Sequence, residues 1–545
     1  MQSQGVPLLG PLHESLARMT GMKALGFSAL LGAFAALAFA PFHLTAALVV
    51  SFTGLIWMID GARGQKRWGK AIFARGWGFG FGFFLVSLHW TAQAFLVEPE
   101  KHAIFLWMPL LLLPGGLALI WGAALAMAGA FWSASPARLF CFCLFFSMAE
   151  FARGTLFGGF PWNLAGTSWV AGGAISQAAS LGGVYWLTAM TVLVCAAPAT
   201  LVDTRPERAM VLRFAPSIAA VIAVASVWGW GGQRASAPPE MTETQIVLMD
   251  VGVPQTEKFI DGRANPAVLR RYLQFLNDVP GRPGDLIVWP EGAVGSVLLE
   301  ARQLEPVAAY LGERTLISGS ARRKTGPDGA AWFNSLAVVN AESARTGAVG
   351  VYDKHRLVPV GELPVSQILP FGEAISAWLP GALQQLARSG FTPGPGPSVV
   401  YGQDVPPFIA MICYEALYPS VARQAQTAAG HRADWIVIVS NDGWFGSVVG
   451  PDQHYAQNRY RAIETGLPIV RVAARGTSAV IDGFGREVAR TSGLREDLPG
   501  WRGQIGRSAL PAKVQQPFFL SRGGQILFPF TLVLFSVFAF LVWRR

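Results

Sequence analysis

Charged residues are scarce in this sequence. Asp, Glu, Lys and Arg make up 14% of its 545 residues, and hydrophobic residues make up 52%. A soluble globular protein usually carries about 25% charged residues, so the shortage indicates that much of the chain lies in lipid. The net charge of +10 does not indicate nucleic acid binding, because Lys and Arg lie mostly between apolar stretches.

Cysteine and ligand-binding motifs are also rare. Cys141, Cys143 and Cys195 lie in apolar stretches, where a thiol usually acts as a small hydrophobe. Only Cys413 lies in a polar part of the chain, without a disulfide partner there, and such a thiol needs a chemical reason. The histidines are scattered and no glycine-rich nucleotide-binding motif occurs, so we expect neither a metal nor a cofactor.

Eight apolar stretches are long enough, or nearly so, to cross a membrane as helices, which requires roughly 20 residues each. The first lacks the small-residue cleavage site of a signal peptide, so we expect it to be retained as a span. The predicted spans are Ala24–Pro41, Leu44–Ile59, Gly76–Val97, Ala103–Trp132, Leu139–Gly159, Leu181–Val202, Phe214–Trp230 and Ile526–Trp543.

The loops between these spans differ in their content of Lys and Arg. The two ends of the chain and the loops after spans two, four and six carry the cations, whereas the alternate loops are poor in them. Because cation-rich loops stay in the cytoplasm, both termini are predicted inside. We therefore expect a membrane domain (1–240), an extracytoplasmic domain (241–521) and a C-terminal transmembrane helix (522–545).

Residues 241–521 alternate between short β-rich runs and helical patterns. This alternation is typical of an α/β domain or a layered sandwich. The predicted helices are Pro266–Asn277, Arg302–Leu311, Pro419–Thr427 and Gln453–Thr465. The predicted strands are Ile246–Val251, Leu286–Trp289, Leu316–Ser318, Ser335–Val339, Gly350–Tyr352, Phe408–Cys413, Trp435–Ser440, Ile469–Val472 and Ser478–Ile481.

Three polar residues stand at the ends of predicted strands: Glu291, Lys354 and Cys413. Side chains at strand ends converge in layered α/β folds. A thiol is mostly protonated at neutral pH and needs a base such as Glu291 to become a nucleophile. Attack on an ester or amide builds negative charge on oxygen, which Lys354 and a backbone N–H can stabilise. Each residue alone has an ordinary structural explanation, with Lys354 exposed on the surface; only together do they indicate acyl transfer.

A series of local motifs resembles the nitrilase (carbon–nitrogen hydrolase) superfamily and, within it, the apolipoprotein N-acyltransferases. The motifs are Trp289-Pro290-Glu291, Tyr352-Asp353-Lys354-His355-Arg356-Leu357-Val358-Pro359 with Gly361-Glu362, Ile412-Cys413-Tyr414-Glu415, Asn441-Asp442-Gly443-Trp444-Phe445-Gly446, and Gln453-His454 leading into Arg459. Phe39-Ala40-Pro41-Phe42 and Glu150-Phe151-Ala152-Arg153-Gly154 also look like this family. The resemblance covers nearly the whole chain.

The resemblance implies about eight transmembrane helices plus an extracytoplasmic α/β nitrilase-like αββα sandwich with a Glu–Lys–Cys triad. The family takes an acyl chain from a phospholipid as a cysteine thioester. It passes the chain to the N-terminal amino group of a diacylglyceryl-modified lipoprotein, at the periplasmic face of the bacterial cytoplasmic (inner) membrane. By this resemblance Cys413 is the nucleophile, Glu291 the general base and Lys354 the oxyanion stabiliser. We expect a monomer with phospholipid and lipoprotein as partners.

The resemblance also implies supporting residues. Glu362 corresponds to the family's second glutamate, Tyr414 and Glu415 shape the nucleophile's pocket, and Trp444 lines the acyl path. For Glu415 a structural ion pair is an equally open interpretation. Phe259 stands where a Trp is frequent. The chain departs from the family at Asp250-Val251-Gly252, where a Gln/Asn pair is usual, and at Ala474-Arg475-Gly476, which replaces an Asn-rich turn.

Two other functions remain open from the residues. A membrane-tethered nitrilase-like amidase or conjugal-transfer relative would share the triad and differ only in its acceptor. A transporter would carry ionisable residues deep in several spans. The spans hold few such residues apart from His89, Glu150 and Arg153, which counts against a transporter. Glu150 and Arg153, three positions apart, are expected either to pair with each other or to line a cavity.

Overall fold

The computed structural model describes residues 9–133, 135–203, 209–260, 263–279, 281–294, 301–326, 329–359, 361–363, 390–491, 494–498 and 501–543. The chain forms two compact units. One comprises Met1–Ala237 together with Pro517–Arg545, and the other comprises Pro238–Gln516. The first unit is helical, and the second contains the strands.

Among the residues that the structure describes, eight helical stretches of the first unit are long and apolar enough to cross a membrane. They correspond one to one to the eight predicted spans. The third begins at Trp68 rather than Gly76, because the buried Arg75 is accommodated by the carbonyl oxygens of Ala71 and Met19. The α-helices of this unit are Leu9–Ala17, Gly21–Ala35, Ala46–Arg63, Trp68–Leu88, Pro99–His102, Leu113–Ala130, Ala137–Thr155, Ala179–Ala196, Ala209–Arg234 and Arg522–Trp543.

Glu150 and Arg153 form a buried ion pair, with 2.8 Å between Arg153 Nη2 and Glu150 Oε2. Trp121 Nε1 donates to Glu150 Oε1 at 2.9 Å. Arg153 Nη1 donates to the carbonyl oxygens of Phe160 and Trp162 at 2.7 and 2.8 Å. Both charges therefore have protein partners, as buried charges in a membrane require, and the predicted pairing of Glu150 with Arg153 is confirmed. Glu150 also lines a small cavity with Trp121.

Two β-sheets form the centre of the second unit. The strands are β1 (Met241–Asp250), β2 (Phe259–Ile260), β3 (Arg263–Ala264), β4 (Leu286–Val294), β5 (Thr315–Gly326), β6 (Gly329–Val339), β7 (Gly350–Asp353), β8 (Val399–Gly402), β9 (Val405–Ile412), β10 (Trp435–Asn441), β11 (Ile469–Ala474), β12 (Ala479–Ile481), β13 (Glu487–Arg490), β14 (Leu494–Leu498) and β15 (Trp501–Pro511). The larger sheet has the strand order β14-β15-β1-β4-β5-β6-β7, the smaller has the order β13-β12-β11-β10-β9-β8, and β2 pairs with β3.

Alternate side chains of the strands enter two different cores. In β1, Ile246 and Leu248 join the core between the two sheets, whereas Val247 and Met249 join a core with helix residues such as Phe275. This is the period of two that a strand imposes on its side chains. The helices of this unit are α1 (Pro266–Asp278), α2 (Ala301–Leu311), α3 (Ser343–Thr346), α4 (Pro419–Ala429) and α5 (Val449–Thr465).

The layers follow the order helix, sheet, sheet, helix. α1 and α2 cover the outer face of the larger sheet, while α4 packs on β8 and β9 and contacts α5. The expected αββα sandwich is thus present. Within the smaller sheet, β9, β10 and β11 run parallel, so their carboxyl ends meet at one edge of the sheet.

Candidate active site

The three predicted catalytic residues come from both sheets. Glu291 lies in β4, whose pairing with β5 is irregular between Trp289 and Val294. Lys354 directly follows β7, and Cys413 directly follows β9. The predicted strand Phe408–Cys413 ends one residue earlier than expected, at Ile412, because Cys413 leaves the extended conformation.

Lys354 lies between two carboxylates. Its Nζ is 2.7 Å from Glu362 Oε2 and 3.6 Å from Glu291 Oε1. The expectation of an exposed Lys354 was wrong, since the side chain is 1% exposed: both carboxylates draw the ammonium inward. Burial alone would lower the pKa of Lys354, but Glu362 and Glu291 outweigh burial and hold that pKa above its usual range. The two carboxylates therefore favour the ammonium form of Lys354.

Asn334 holds both glutamates through one amide group. Its Nδ2 donates to Glu291 Oε1 at 2.7 Å and to Glu362 Oε1 at 2.8 Å, and its backbone carbonyl accepts from Lys354 N. The sequence analysis missed this residue. The available signal was a polar side chain in the apolar run of β6, where a buried amide needs partners.

Cys413 is buried and has a φ of 51°. This left-handed conformation is uncommon for a residue with a side chain and marks a sharp turn out of β9. Burial and the charge of Glu291 raise the pKa of Cys413, while Lys354 and a hydrogen bond with Ser440 act against that rise. The resting group is therefore a thiol, and it needs a proton acceptor before it can attack.

Glu415 is fully buried and accepts hydrogen bonds. Among the residues that the structure describes, it forms no ion pair. Its Oε1 accepts from Tyr352 Oη at 2.7 Å and from the backbone N–H groups of His355 and Arg356 at 2.9 and 3.1 Å. Its Oε2 accepts from Ile412 N at 2.9 Å. Glu415 therefore joins the segment after Lys354 to the turn that carries Cys413.

The other predicted supporting residues have different settings. Tyr414 is buried, and its ring meets that of Tyr418 edge-on at 5.3 Å. Trp444 lies in the turn after β10 with 38% of its surface exposed. The backbone of Phe259 lies in β2, but its side chain is outside what the structure describes.

The two segments that depart from the family pattern, at Asp250 and at Arg475, are joined by a hydrogen bond. Asp250 Oδ2 accepts from Arg475 N at 3.0 Å, and Asp250 Oδ1 accepts from Gly252 N at 3.1 Å. Burial raises the pKa of Asp250. Lys258, which sequence reasoning did not single out, is buried beside Asp250 and Glu291. Burial lowers the pKa of Lys258 to about 8, although the negative charges of Asp250 and Glu291 act to raise it. Glu291 is thus close to two lysines.

A family model described as carbon–nitrogen hydrolase matches residues 263–498, which include Glu291, Lys354 and Cys413. The αββα unit is therefore a carbon–nitrogen hydrolase domain. Within the described residues, His, Cys, Asp and Glu side chains form no group of three or more that could hold a metal ion. An amidase from Nesterenkonia sp. is similar at 14% identity and a TM-score of 0.30, covering 53% of this chain and 96% of the amidase.

The first unit, which contains the apolar helices, indicates which carbon–nitrogen hydrolase family the chain is similar to. A model described as the apolipoprotein N-acyltransferase N-terminal domain matches residues 31–197. Apolipoprotein N-acyltransferase from Rhodopseudomonas palustris is 33% identical, with 96% of each chain covered. The enzyme of that name from Caulobacter vibrioides is 35% identical, covering 85% of this chain and 86% of its own length. The chain belongs to the apolipoprotein N-acyltransferase family, and it is a multi-pass membrane acyltransferase.

Proposed function

We propose that this protein takes an acyl chain from a phospholipid onto Cys413 as a thioester and passes it to the N-terminal amino group of a diacylglyceryl-cysteine on a lipoprotein. The observation that carries the proposal is the grouping of a buried thiol, Cys413, with the carboxylate of Glu291 and the ammonium of Lys354. The names of the relatives support the choice of donor and acceptor over an amidase.

The first half of the reaction forms the thioester. Glu291 accepts the proton of Cys413, and the thiolate attacks the ester carbonyl carbon of the phospholipid. Negative charge develops on the carbonyl oxygen, where the Lys354 ammonium and a backbone N–H beside Cys413 stabilise it. Collapse breaks the ester C–O bond, and the lysophospholipid leaves as an alcohol with the proton from Glu291.

The second half transfers the acyl chain. The neutral amino group of the acceptor attacks the thioester carbonyl, and Glu291 accepts a proton from the nitrogen as the amide bond forms. The C–S bond breaks, and the thiolate regains a proton from Glu291. Asn334 supports both halves because its amide keeps Glu291 and Glu362 fixed while the charge on Glu291 changes.

We also propose that the second unit, Pro238–Gln516, here called the catalytic unit, faces the periplasm. All cation-rich loops fall on the opposite side of the predicted topology. Both substrates are anchored in the outer leaflet, and extracting an acyl chain into water costs about 0.8 kcal/mol per CH₂. An enzyme attached to the same bilayer, working as a monomer, avoids that extraction.

The test is incubation of the purified protein in detergent with phospholipid and a synthetic diacylglyceryl lipopeptide, followed by mass analysis of the peptide. We expect the peptide to gain the mass of one acyl chain, and the matched variant Cys413→Ala to leave it unchanged. Free fatty acid with an unmodified peptide would contradict the proposal and favour a hydrolase.

A further inference from the structure

A buried polar network lies behind the nucleophile at the edge where β9, β10 and β11 end. Its centre is Asp442, which is 0% exposed. Asp442 Oδ1 accepts from Ser440 Oγ at 2.7 Å and lies 3.1 Å from His454 Nδ1. Asp442 Oδ2 accepts from Arg471 Nη2 at 2.7 Å. Ser440, His454 and Arg471 are likewise fully buried.

The charges in this network are compensated. Burial opposes ionisation of Asp442, but Arg471 and His454 outweigh it and hold the pKa of Asp442 well below its usual value. Arg471 also donates to Asn458 Oδ1 at 2.8 Å and to the carbonyl of Thr477. A buried charge cluster with this many hydrogen bonds is rigid, because breaking one partner leaves another charge unpaired.

The network reaches Cys413 through the far side of the His454 ring. His454 Nε2 is 3.3 Å from the carbonyl oxygen of Cys413. A carbonyl oxygen only accepts, so Nε2 is the donor in this contact. The other ring nitrogen, Nδ1, lies 3.2 Å from Arg471 Nη2 as well as 3.1 Å from Asp442 Oδ1, so both groups hold the ring. Phe445 meets the imidazole edge-on at 5.4 Å, which limits rotation of the ring.

This contact falls on a strained residue. A non-glycine residue held in the left-handed region is strained and persists only where its surroundings fix it. Cys413 is such a residue. Glu415 holds the N–H of the preceding Ile412, and His454 holds the carbonyl of Cys413 itself. The turn is therefore fixed from both sides.

We propose that His454, held by Asp442 and Arg471, is a positioning residue that keeps Cys413 in the left-handed turn from which its thiol reacts. The inference rests on the proposed role of Cys413 as nucleophile. It assigns to the Gln453-His454 motif on α5 a task that the triad does not include. Loss of the donor at the Nε2 position should slow the attack without weakening phospholipid binding.

Two amide substitutions separate donor position from mere polarity. The amide nitrogen of His454→Gln reaches the place of the imidazole Nε2, whereas that of His454→Asn reaches only the place of Nδ1. We expect His454→Asn to lower kcat by about 10²-fold, as a displaced reacting group does, with KM for phospholipid nearly unchanged. His454→Gln should stay within a few-fold of the wild type, and Tyr460→Phe, on the same helix, should match it.

A second measurement does not depend on acyl transfer. Alkylation of Cys413 by iodoacetamide, mapped by mass spectrometry, should also be slower in His454→Asn than in His454→Gln. Equal kcat and equal alkylation in the two amide variants would overturn the positioning role. If the wild-type protein is alkylated at Cys413 but never acylates a peptide, the proposed function fails while the positioning role is still tested by alkylation. Melting temperatures of both variants verify that each is folded.

Discussion

At the scale of single residues, the site depends on the balance of charge around Lys354. The buried Lys354 lies between two partly buried glutamates, and Asn334 donates to both carboxylates. Removing one partner of a buried ion pair typically costs about 3–5 kcal/mol, because the remaining charge is left without compensation. Substitutions of Lys354 therefore change stability as well as chemistry.

This coupling makes a double substitution informative. Lys354→Ala should lower the melting temperature and reduce turnover by about 10²–10³-fold through loss of oxyanion stabilisation. Adding Glu362→Gln removes one of the two uncompensated carboxylates, so the double variant should regain part of the lost stability but none of the turnover. Turnover close to wild type in Lys354→Ala would show that this lysine is outside the reacting site.

Asp250 gives a pH-dependent test at the same scale. Its pKa is raised in the folded protein by burial, so the folded state holds the proton more tightly than the unfolded chain does. The associated stability is present below the unfolded pKa of about 4 and is lost as pH rises through the folded pKa. Because the side chain of Asp250→Asn cannot ionise, this variant does not lose that stability as pH rises.

We therefore expect the difference in melting temperature, Asp250→Asn minus wild type, to become more positive between pH 4 and pH 8. The comparison is between two pH values, so a constant cost from the altered hydrogen bond to Arg475 N cancels. A difference that stays flat, or one that falls with pH, would contradict the raised pKa.

At the scale of secondary-structure elements, the close approach of β4 and β5 places Glu291. A Cβ on Gly319 would lie 2.5 Å from the Cα of Glu291 and 2.8 Å from the carbonyl oxygen of Pro290. These are backbone atoms, so a side chain at Gly319 must push the two strands apart. A displacement of about 1 Å at a catalytic group can cost 10²-fold in rate.

Gly319→Ala should therefore lose most of its turnover although it touches no substrate. Gly506→Ala in β15 of the same sheet is the matched control, since the nearest atoms to its new Cβ, the Cα and Cγ2 of Thr491, lie 3.3 Å away and need to shift by only a few tenths of an ångström. We expect the control to transfer acyl chains at close to the wild-type rate. Equal activities in the two variants would show that the β4–β5 spacing does not set the position of Glu291.

The sequence predicted the elements whose pattern is local. The buried strands β1, β4, β9, β10 and β11 are runs of Val, Ile and other apolar residues, which suit strands buried on both faces. β15 was missed because Gln504, Arg507 and Ser508 interrupt its apolar pattern, and it is defined by antiparallel pairing with β1. Edge strand β8 was also missed, and it is defined by its antiparallel pairing with β9.

For the candidate active site, the sequence indicated which residues to consider but not how they contact each other. Glu291, Lys354 and Cys413 were recognised by residue type and local motif. The burial of Lys354 and the bridging amide of Asn334 depend on contacts between distant segments, which no local pattern contains. The left-handed turn at Cys413 was missed because its residue type gives no hint of a positive φ.

At the scale of the whole molecule, the proposed topology can be tested independently of catalysis. A reporter enzyme that is active only outside the cytoplasm, inserted beside Gly329 between β5 and β6, should be active in cells. A reporter active only in the cytoplasm should be silent at the same position. The opposite pattern would place the catalytic unit inside and contradict the orientation deduced from the cationic loops.

The proposed reaction depends on a covalent acyl-enzyme at Cys413, which can be isolated by omitting the acceptor. Phospholipid alone should acylate the protein and release one lysophospholipid per enzyme. The added mass should map to Cys413, hydroxylamine at neutral pH should remove it as expected of a thioester, and Glu291→Gln should acquire it far more slowly. The covalent mechanism is contradicted if the wild-type protein acquires no acyl group without the acceptor, or if Cys413→Ala still acylates lipopeptide.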